Sequence, residues 1–281
     1  MNAQAETKER KPEKRLHRRS RLTERDRRVL VLLGEHGCLT GLRIKAYLWN
    51  STPASSAYRR RLRILMKRGL IEKVAGDPTR APAYRLAKRG KAVIGKLQDS
   101  GGAEPNRRAY QTQFQHDQIL FDARRILERS PLIRNFMAEN DVRNLLLKGH
   151  EKLLHWEKAP VIPDAMFTYA VPGKTMRIAV ELELNLKARQ RYTRIFRSHL
   201  LAKSWQLTIY IVKGDAFRKR LMKVLADVRA TDIEVRMAKT VNGIYFCTLE
   251  DFLLQELSVP MTNGKKEFSF ADAAQTVEAK T

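Results

Sequence analysis

The stretch 57–74, AYRRRLRILMKRGLIEKV, constrains the fold most, because a strongly basic helix runs through a glycine directly into a short strand. Leu62, Leu65 and Met66 recur at helical spacing and predict that one side of the helix is buried. Gly69 stands where a helix needs a left-handed residue to end, and the apolar residues of 70–74 then predict a strand. The side opposite the leucines, which we call the cationic face, carries residues at i, i+3, i+4, i+7 and i+11: Ser56, Arg59, Arg60, Arg63 and Lys67.

The charge of the whole chain favours a polyanionic partner for this face. The 281 residues carry a net charge of +25, and the excess is uneven. Residues 1–110 hold 28 Lys and Arg against 10 Asp and Glu, whereas 111–281 hold 27 against 20. Because counterion release on neutralising phosphates drives non-specific nucleic-acid affinity, we expect the first part of the chain to bind DNA. The alternative is that the cationic face is a solvated helix surface, which is the usual meaning of a run of charges.

The same sequence disfavours other classes of protein. No apolar stretch approaches the length that spans a bilayer, and neither an amphipathic anchor nor a signal peptide opens the chain, so no membrane partner is expected. The two cysteines, Cys38 and Cys247, cannot form a disulfide framework and match no metal-ligand spacing. We therefore expect a soluble protein of a reducing cytoplasm.

The amino-terminal part predicts a small helical domain with a β-hairpin. Residues 1–21 form an arm rich in Lys, Arg and Glu, which we expect to be disordered until it meets DNA. Within 22–97, Thr23 and Thr40 are N-cap residues of two helices, the basic helix follows, and two strands then flank a turn that contains Arg80. With a closing helix over 88–97, this order resembles a winged-helix domain. In that fold the third helix enters the major groove, and the hairpin or wing, here with Arg80, contacts the neighbouring backbone.

A polar linker with Gly-Gly and Pro is predicted over 98–113, and strands alternating with helices follow it. Helices are predicted over 116–127, 189–203, 216–228 and 249–256, and strands over 132–142, 161–171, 176–184, 207–212, 233–237 and 244–247. This αβββαβαβ order predicts an α/β domain over 114–258 with a hairpin at its centre. Residues 259–281 lose periodicity, and we expect them to form a mobile tail.

Three carboxylates lie on the predicted hairpin, and we call them the carboxylate cluster. Glu181 and Glu183 alternate with apolar residues along one strand, so both project from the same face, and Asp164 stands on the partner strand. Converging carboxylates repel one another unless a divalent cation lies among them, and Mg²⁺ or Mn²⁺ takes such oxygen ligands. On this interpretation the cluster is a metal site. The alternative, which the spacing alone favours, is that the two glutamates face solvent.

Pro163 and Asp164 in one strand, followed by a strand that ends Glu-x-Glu between two helices, resemble the PD-(D/E)XK nuclease superfamily, whose core is αβββαβ. More narrowly, the chain resembles the plasmid replication-relaxation family, which includes accessory proteins of plasmid mobilisation. The residues that carry this resemblance are His116 at the start of a helix, AENDVR at 138–143, PDAMF at 163–167, ELE at 181–183, Tyr192 in a basic helix and FCTLEDF at 246–252. The resemblance implies a restriction-endonuclease-like domain after the winged helix. It also implies double-stranded DNA, and a relaxase or another mobile-element protein, as partners.

One departure from the nuclease pattern bears on catalysis. A working site of that superfamily has lysine where Glu183 stands, because the lysine positions the attacking water and stabilises charge on the phosphate. Lys187, at the start of the next helix, is a candidate replacement, and Glu139 or Glu157 is a candidate further ligand. We therefore favour a DNA-binding accessory protein without catalysis of its own. A Mg²⁺-dependent endonuclease targeted by its winged helix and a transcriptional regulator are the alternatives, and a homodimer is left open.

A second basic surface is predicted on the helix that follows the glutamates. It either continues the path of the DNA or simply keeps the helix soluble. Its residues are Arg189, Arg191, Arg194 and Arg197.

Overall fold

The fold is that of a computed structural model, which describes residues 22–49, 55–74, 82–98, 110–148, 161–171 and 173–272. Over these ranges the chain is a mixed α/β protein with one three-stranded and one seven-stranded sheet. We refer to 22–98 as the amino-terminal unit and to 110–272 as the carboxy-terminal unit. The predicted basic arm 1–21, the turn with Arg80, and Glu157 lie outside the described residues.

The described amino-terminal unit combines four helices with a three-stranded antiparallel sheet of order β1-β3-β2. Its elements are α1 Glu24–His36, β1 Cys38–Thr40, α2 Gly41–Leu48, α3 Ser55–Lys67, β2 Ile71–Val74, β3 Ala83–Leu86 and α4 Lys88–Gln98. The sequence predicts all of these except β1. This strand is missing from the prediction because three residues between two helices are too few to show a periodicity.

Local chemistry explains where several of these elements begin and end. Thr23 and Asp26 form a reciprocal capping box at the start of α1. Gly69 has a φ of 65° and ends α3 in the left-handed region, where a residue with a Cβ is strained. A Cβ on Gly90 would stand 1.9 Å from the carbonyl oxygen of Leu70, so only glycine allows α4 to pack this closely. Strand β2 therefore follows α3 directly and is fixed against α4.

The carboxy-terminal unit is built on a seven-stranded mixed sheet of order β10-β9-β8-β7-β6-β5-β4. Strands β4, β5 and β6 pair antiparallel, β6, β7 and β8 pair parallel, and β8, β9 and β10 pair antiparallel. The strands are β4 Ile133–Ala138, β5 Ala165–Val171, β6 Lys174–Glu183, β7 Leu207–Val212, β8 Gly243–Thr248, β9 Met261–Thr262 and β10 Glu267–Phe268. The helices are α5 Tyr110–Leu127, α6 Glu139–Lys148, α7 Arg189–Leu200, α8 Asp215–Thr231, α9 Ile233–Met237 and α10 Leu249–Gln255.

Helices cover both faces of this sheet where β6 and β7 lie. Val180 and Leu182 of β6 belong to the core that includes the apolar side of α5. Tyr210 of β7 belongs to a second core, formed with α7 and α8. Because Glu181 and Glu183 alternate with Val180 and Leu182, they project toward α7 and α8.

Helix α5 joins the two units. The side chain of Gln118 accepts a hydrogen bond from the Thr40 amide at 3.0 Å and donates one to the Cys38 carbonyl at 2.5 Å. Strand β1 pairs with β3 on one side only, so Gln118 closes its outer edge. Phe121 of the same helix is fully buried in the amino-terminal core. The predicted linker 98–113 therefore does not separate two independent units, and α5 already begins inside it.

The prediction of a strand over 233–237 is wrong, because these residues form the short helix α9. Asp232 is its N-cap, and the side chain of Asp232 accepts a hydrogen bond from the Val235 amide at 3.1 Å. Ile233 and Met237, which give the segment its alternating appearance, are 70% and 79% exposed, and Val235 alone is buried. The alternation therefore does not correspond to a buried strand face.

Two further predictions differ from the structure. The strand expected over 132–142 ends at Ala138, since Glu139 begins helix α6. The expected mobile tail from 259 onward contains β9 and β10, and Phe270 beyond them is only 2% exposed. Two-residue strands carry no periodicity, so the sequence pattern gives no sign of them.

Candidate functional site

All five residues of the cationic face are exposed on α3, as the helical spacing predicts. Among the described residues, no ion pair involves Arg60, Arg63 or Lys67. Arg59 contacts the hydroxyl of Tyr58 through its Nε at 3.2 Å and keeps its charge at the surface. The helix therefore presents four cations to solvent without a carboxylate among the described residues to neutralise them.

Arg61 is the exception on α3, because it turns toward the core. Its guanidinium forms an ion pair with the carboxylate of Asp26, whose side chain is completely buried. Burial raises the pKa of Asp26, but the hydrogen bonds from Arg61 and Thr23 outweigh burial and leave that pKa below its usual value. The two kinds of arginine on α3 thus have different roles: one is structural and the others are available to a ligand.

Asp164 directly precedes strand β5 and lies beside His116 of α5. Its Oδ2 is 3.1 Å from the imidazole Nε2 and 2.8 Å from the Leu182 amide, which donates to it. Burial lowers the pKa of His116, but the charge of Asp164, its hydrogen bond with the imidazole and the nearby Asp117 carboxylate raise that pKa to about 10. The pKa of Asp164 is lowered for the reciprocal reason, since the imidazolium outweighs the effect of burial. The pair is therefore ionic at neutral pH.

Glu181 is buried against His199 of α7. Its Oε1 is 3.0 Å from the His199 Nε2, while the Nδ1 of the same ring is 3.2 Å from the hydroxyl oxygen of Thr208. Burial, together with the charges of Asp164 and Glu183, raises the pKa of Glu181 well above its usual value. Burial also lowers the pKa of His199 to about 3. Burial thus favours the neutral form of both groups, and at pH values between the two shifted pKa values the contact is a hydrogen bond rather than an ion pair.

Glu183, the last residue of β6, is paired with Lys187, which lies in the loop before α7. The Lys187 ammonium contacts its Oε1, and the Tyr192 hydroxyl lies 3.4 Å from its Oε2. Burial raises the pKa of Glu183, although the charge of Lys187 opposes this effect. With relative exposures of 7% for Glu181 and 2% for Glu183, the expectation that these glutamates face solvent is wrong, because α7 and α8 cover them.

The carboxylate cluster does not fit a metal site in this arrangement. Within the described ranges, no group of three or more His, Cys, Asp or Glu side chains is arranged to hold a metal ion. Mg²⁺ takes oxygen ligands in near-octahedral geometry, usually one or two carboxylates together with waters. Here each carboxylate already has a different partner: Asp164 has His116, Glu181 has His199, and Glu183 has Lys187. The further candidate ligand, Glu139, is 2.6 Å from Arg143 on α6.

Sequence reasoning missed His199 of α7, which contacts Glu181, and Thr208 of β7, which contacts the His199 ring. His199 follows Tyr192 by seven residues, so the two share the buried side of α7. That spacing is a signal that His199 lies inward. Nothing in the spacing indicates that the Thr208 hydroxyl meets its ring, since this contact depends on how β7 packs under α7.

Comparison of the chain with protein-family models, with curated proteins and with solved structures gives no match. None of the helices in the described ranges combines the length and the apolarity that crossing a bilayer requires.

Proposed function

We propose that this protein binds double-stranded DNA through the cationic face of α3 and serves as an accessory protein of plasmid or mobile-element DNA processing, without catalysis of its own. The observation that carries the DNA-binding part is the exposure of Arg59, Arg60, Arg63 and Lys67 on one side of α3, with no carboxylate paired to them in the described chain. Unpaired surface cations in this density favour a phosphate backbone as partner.

The order of elements in the amino-terminal unit supports a winged-helix mode of binding. In that mode α3 is the recognition helix, and the hairpin of β2 and β3 lies beside it as the wing. Gly69 ends the helix directly before β2, and β2 pairs antiparallel with β3, so the hairpin begins at the carboxyl end of α3. On this basis the outward side chains of α3 reach base edges, and the surrounding cations contact phosphates.

The state of the carboxylate cluster supports a role without hydrolysis. The buried Glu181 carboxyl contacts His199 and its pKa is raised well above the usual value, while Lys187 is held by Glu183, so these side chains are engaged with the protein rather than free to hold a metal. The part of the proposal that concerns mobile elements and a relaxase partner comes from the motifs of His116, PDAMF and ELE alone.

DNA binding is tested by selecting duplexes from a random library on the full-length protein and titrating the selected duplex by fluorescence anisotropy. We expect R59A/R63A to weaken binding by about 1 to 3 kcal/mol for each arginine that reads a base edge. The matched control is R134A/R236A, which removes the same charge from two exposed positions of the carboxy-terminal unit. Wild-type affinity in R59A/R63A would remove α3 as the recognition helix.

Catalysis is tested separately on supercoiled plasmid with Mg²⁺ or Mn²⁺. We expect no cleavage, and no rise in the melting temperature of the protein with either metal, since a ligand that binds the folded state would raise it. Metal-dependent cleavage that E181Q abolishes would overturn the non-catalytic proposal and establish the endonuclease in its place.

A further inference from the structure

A cleft between α7 and α8 is lined by cations and lies beside the carboxylate cluster. We propose that this cleft binds one backbone phosphate of a nucleic-acid strand, which gives the protein a second DNA contact apart from α3. The proposal rests on the proposed DNA-binding function and extends it to the carboxy-terminal unit.

The lining of the cleft is strongly biased in charge. The cavity has a volume of about 170 Å³ and four basic side chains, but no carboxylate, among the residues that line it. Its small volume suits a single compact anion rather than a base or a large apolar ligand. The lining residues are Leu186, Lys187, Arg189, Tyr192, Arg220, Leu221, Lys223 and Val224.

The basic side chains of the cleft fall into two groups. Lys187 pairs with Glu183, and Arg189 pairs with Asp227 at 2.5 Å, but neither acid lines the cavity. Arg220 and Lys223 are exposed and take part in no ion pair among the described residues. Lys187 and Arg189 are held in position by their acidic partners. Arg220 and Lys223 have no such partner among the described residues and can neutralise the charge of a bound phosphate. A phosphate oxygen accepts charge-assisted hydrogen bonds from both kinds of donor.

The place of the cleft in the fold also suits an anion. It is lined by residues that follow the carboxyl ends of β6 and β7, two neighbouring parallel strands. Open α/β sheets commonly bind ligands outside these strand ends. Helix α7 begins at Arg189 without a side-chain cap, so its first amide groups add partial positive charge beside the cavity.

Arg220 and Lys223 provide the test, because both are exposed and removing them leaves the paired residues in place. Anisotropy titrations over a series of salt concentrations would compare wild type, R220A/K223A, R59A/R63A and the combined variant on one duplex. We expect R220A/K223A to reduce the slope of log K against log salt by about 1 to 2, as loss of one or two phosphate contacts predicts. The control R236A/K239A removes the same two charges from exposed positions beyond the other end of α8 and should reduce the slope less.

The outcomes separate this proposal from the one about α3. A wild-type slope in R220A/K223A overturns the cleft contact, whatever R59A/R63A does. A reduced slope in R220A/K223A, with unchanged binding by R59A/R63A, supports the cleft and removes α3 as the recognition helix. In the combined variant the two losses should add, because the sites share no residue.

Inorganic phosphate tests whether the cleft binds a phosphate group of a nucleic-acid strand or a free phosphate ion. Melting temperatures in phosphate and in chloride of equal ionic strength would be compared for wild type and R220A/K223A. A rise with phosphate in wild type alone, together with the reduced DNA slope, supports the proposal. The same rise with an unchanged DNA slope assigns the cleft to a free phosphate and overturns binding of a strand.

Discussion

The Nε2 of His116 lies 3.1 Å from the Oδ2 of Asp164, and this contact joins helix α5 to the start of strand β5. The same helix closes the edge of β1 through Gln118 and places Phe121 in the amino-terminal core. One helix therefore fixes both the position of the amino-terminal unit and the environment of the carboxylate cluster.

The His116–Asp164 pair should make stability depend on pH. The pKa of His116 is about 10 in the fold against an ordinary value of 6.5, so the imidazolium stabilises the fold fully below pH 6.5 and loses this effect as pH rises toward 10. We expect H116Q to lower the free energy of unfolding at pH 6.5 by about 2 to 4 kcal/mol. The difference from wild type should shrink toward pH 10. Urea denaturation at both pH values measures it.

The lowered pKa of Asp164 determines at which acidic pH the fold loses the stabilisation that the His116–Asp164 pair provides. Its contribution is present above the ordinary Asp value of 3.8 and is lost as pH falls through the lower pKa of the folded state. A double-mutant cycle with H116Q and D164N at pH 6.5 isolates the pair. Additive losses in that cycle would mean that the two side chains do not interact.

Arg60 and Arg61 are neighbours on α3, but we expect substitution of Arg61 to lower the stability of the fold and substitution of Arg60 to lower only the affinity for DNA. R61A leaves the buried carboxylate of Asp26 without its ion-pair partner, so we expect a loss of about 2 to 3 kcal/mol in the free energy of unfolding. R60A removes an exposed cation and should leave stability within about 0.5 kcal/mol of wild type. In DNA titrations at a temperature where both variants are folded, R60A should bind less tightly than wild type. Equal unfolding midpoints in urea for R60A and R61A would contradict the inward position of Arg61.

The hydrogen bonds of Gln118 to β1 should help to hold the two units together. Q118L leaves the Thr40 amide and the Cys38 carbonyl without their hydrogen-bond partner, and each unsatisfied buried group costs about 1 to 3 kcal/mol. Hydrogen exchange of the Thr40 amide should become faster, since Gln118 is the group that protects it. The control is Q190L, which makes the same substitution at an exposed position of α7. Unchanged exchange at Thr40 would mean that α5 does not hold β1.

The sequence predicts the surface of α3 better than it predicts the carboxylate cluster. Helical spacing separates Leu62 and Leu65, which are buried, from Arg59 and Arg63, which are exposed, because a helix of thirteen residues repeats its pattern several times. Whether that surface binds DNA remains a prediction.

The alternation along β6 correctly places both glutamates of the cluster on one face. It does not reveal what covers that face, because α7 and α8 are distant in sequence and their packing is a tertiary effect. For the same reason, the partners of Glu181 and Glu183 are not predictable from spacing. The sequence pattern does not predict helix α9 either, since five residues do not distinguish the period of a strand from a short capped helix.

Glu181 and Glu183 should respond differently to the same conservative change. Burial and the neighbouring carboxylates raise the pKa of Glu181 well above the ordinary value of 4.5, so its stabilising contribution exists at low pH and is lost as pH rises through the pKa of the folded state. Glutamine is neutral and can still donate to His199, so we expect E181Q to match wild type near pH 5 and to exceed its stability increasingly at higher pH. Burial also raises the pKa of Glu183, but the charge of Lys187 opposes that effect, so E183Q should gain less stability over wild type at higher pH than E181Q does. Urea denaturation of both variants between pH 5 and 9 gives the comparison, and parallel stability curves for wild type and E181Q would show that Glu181 is ionised in the fold.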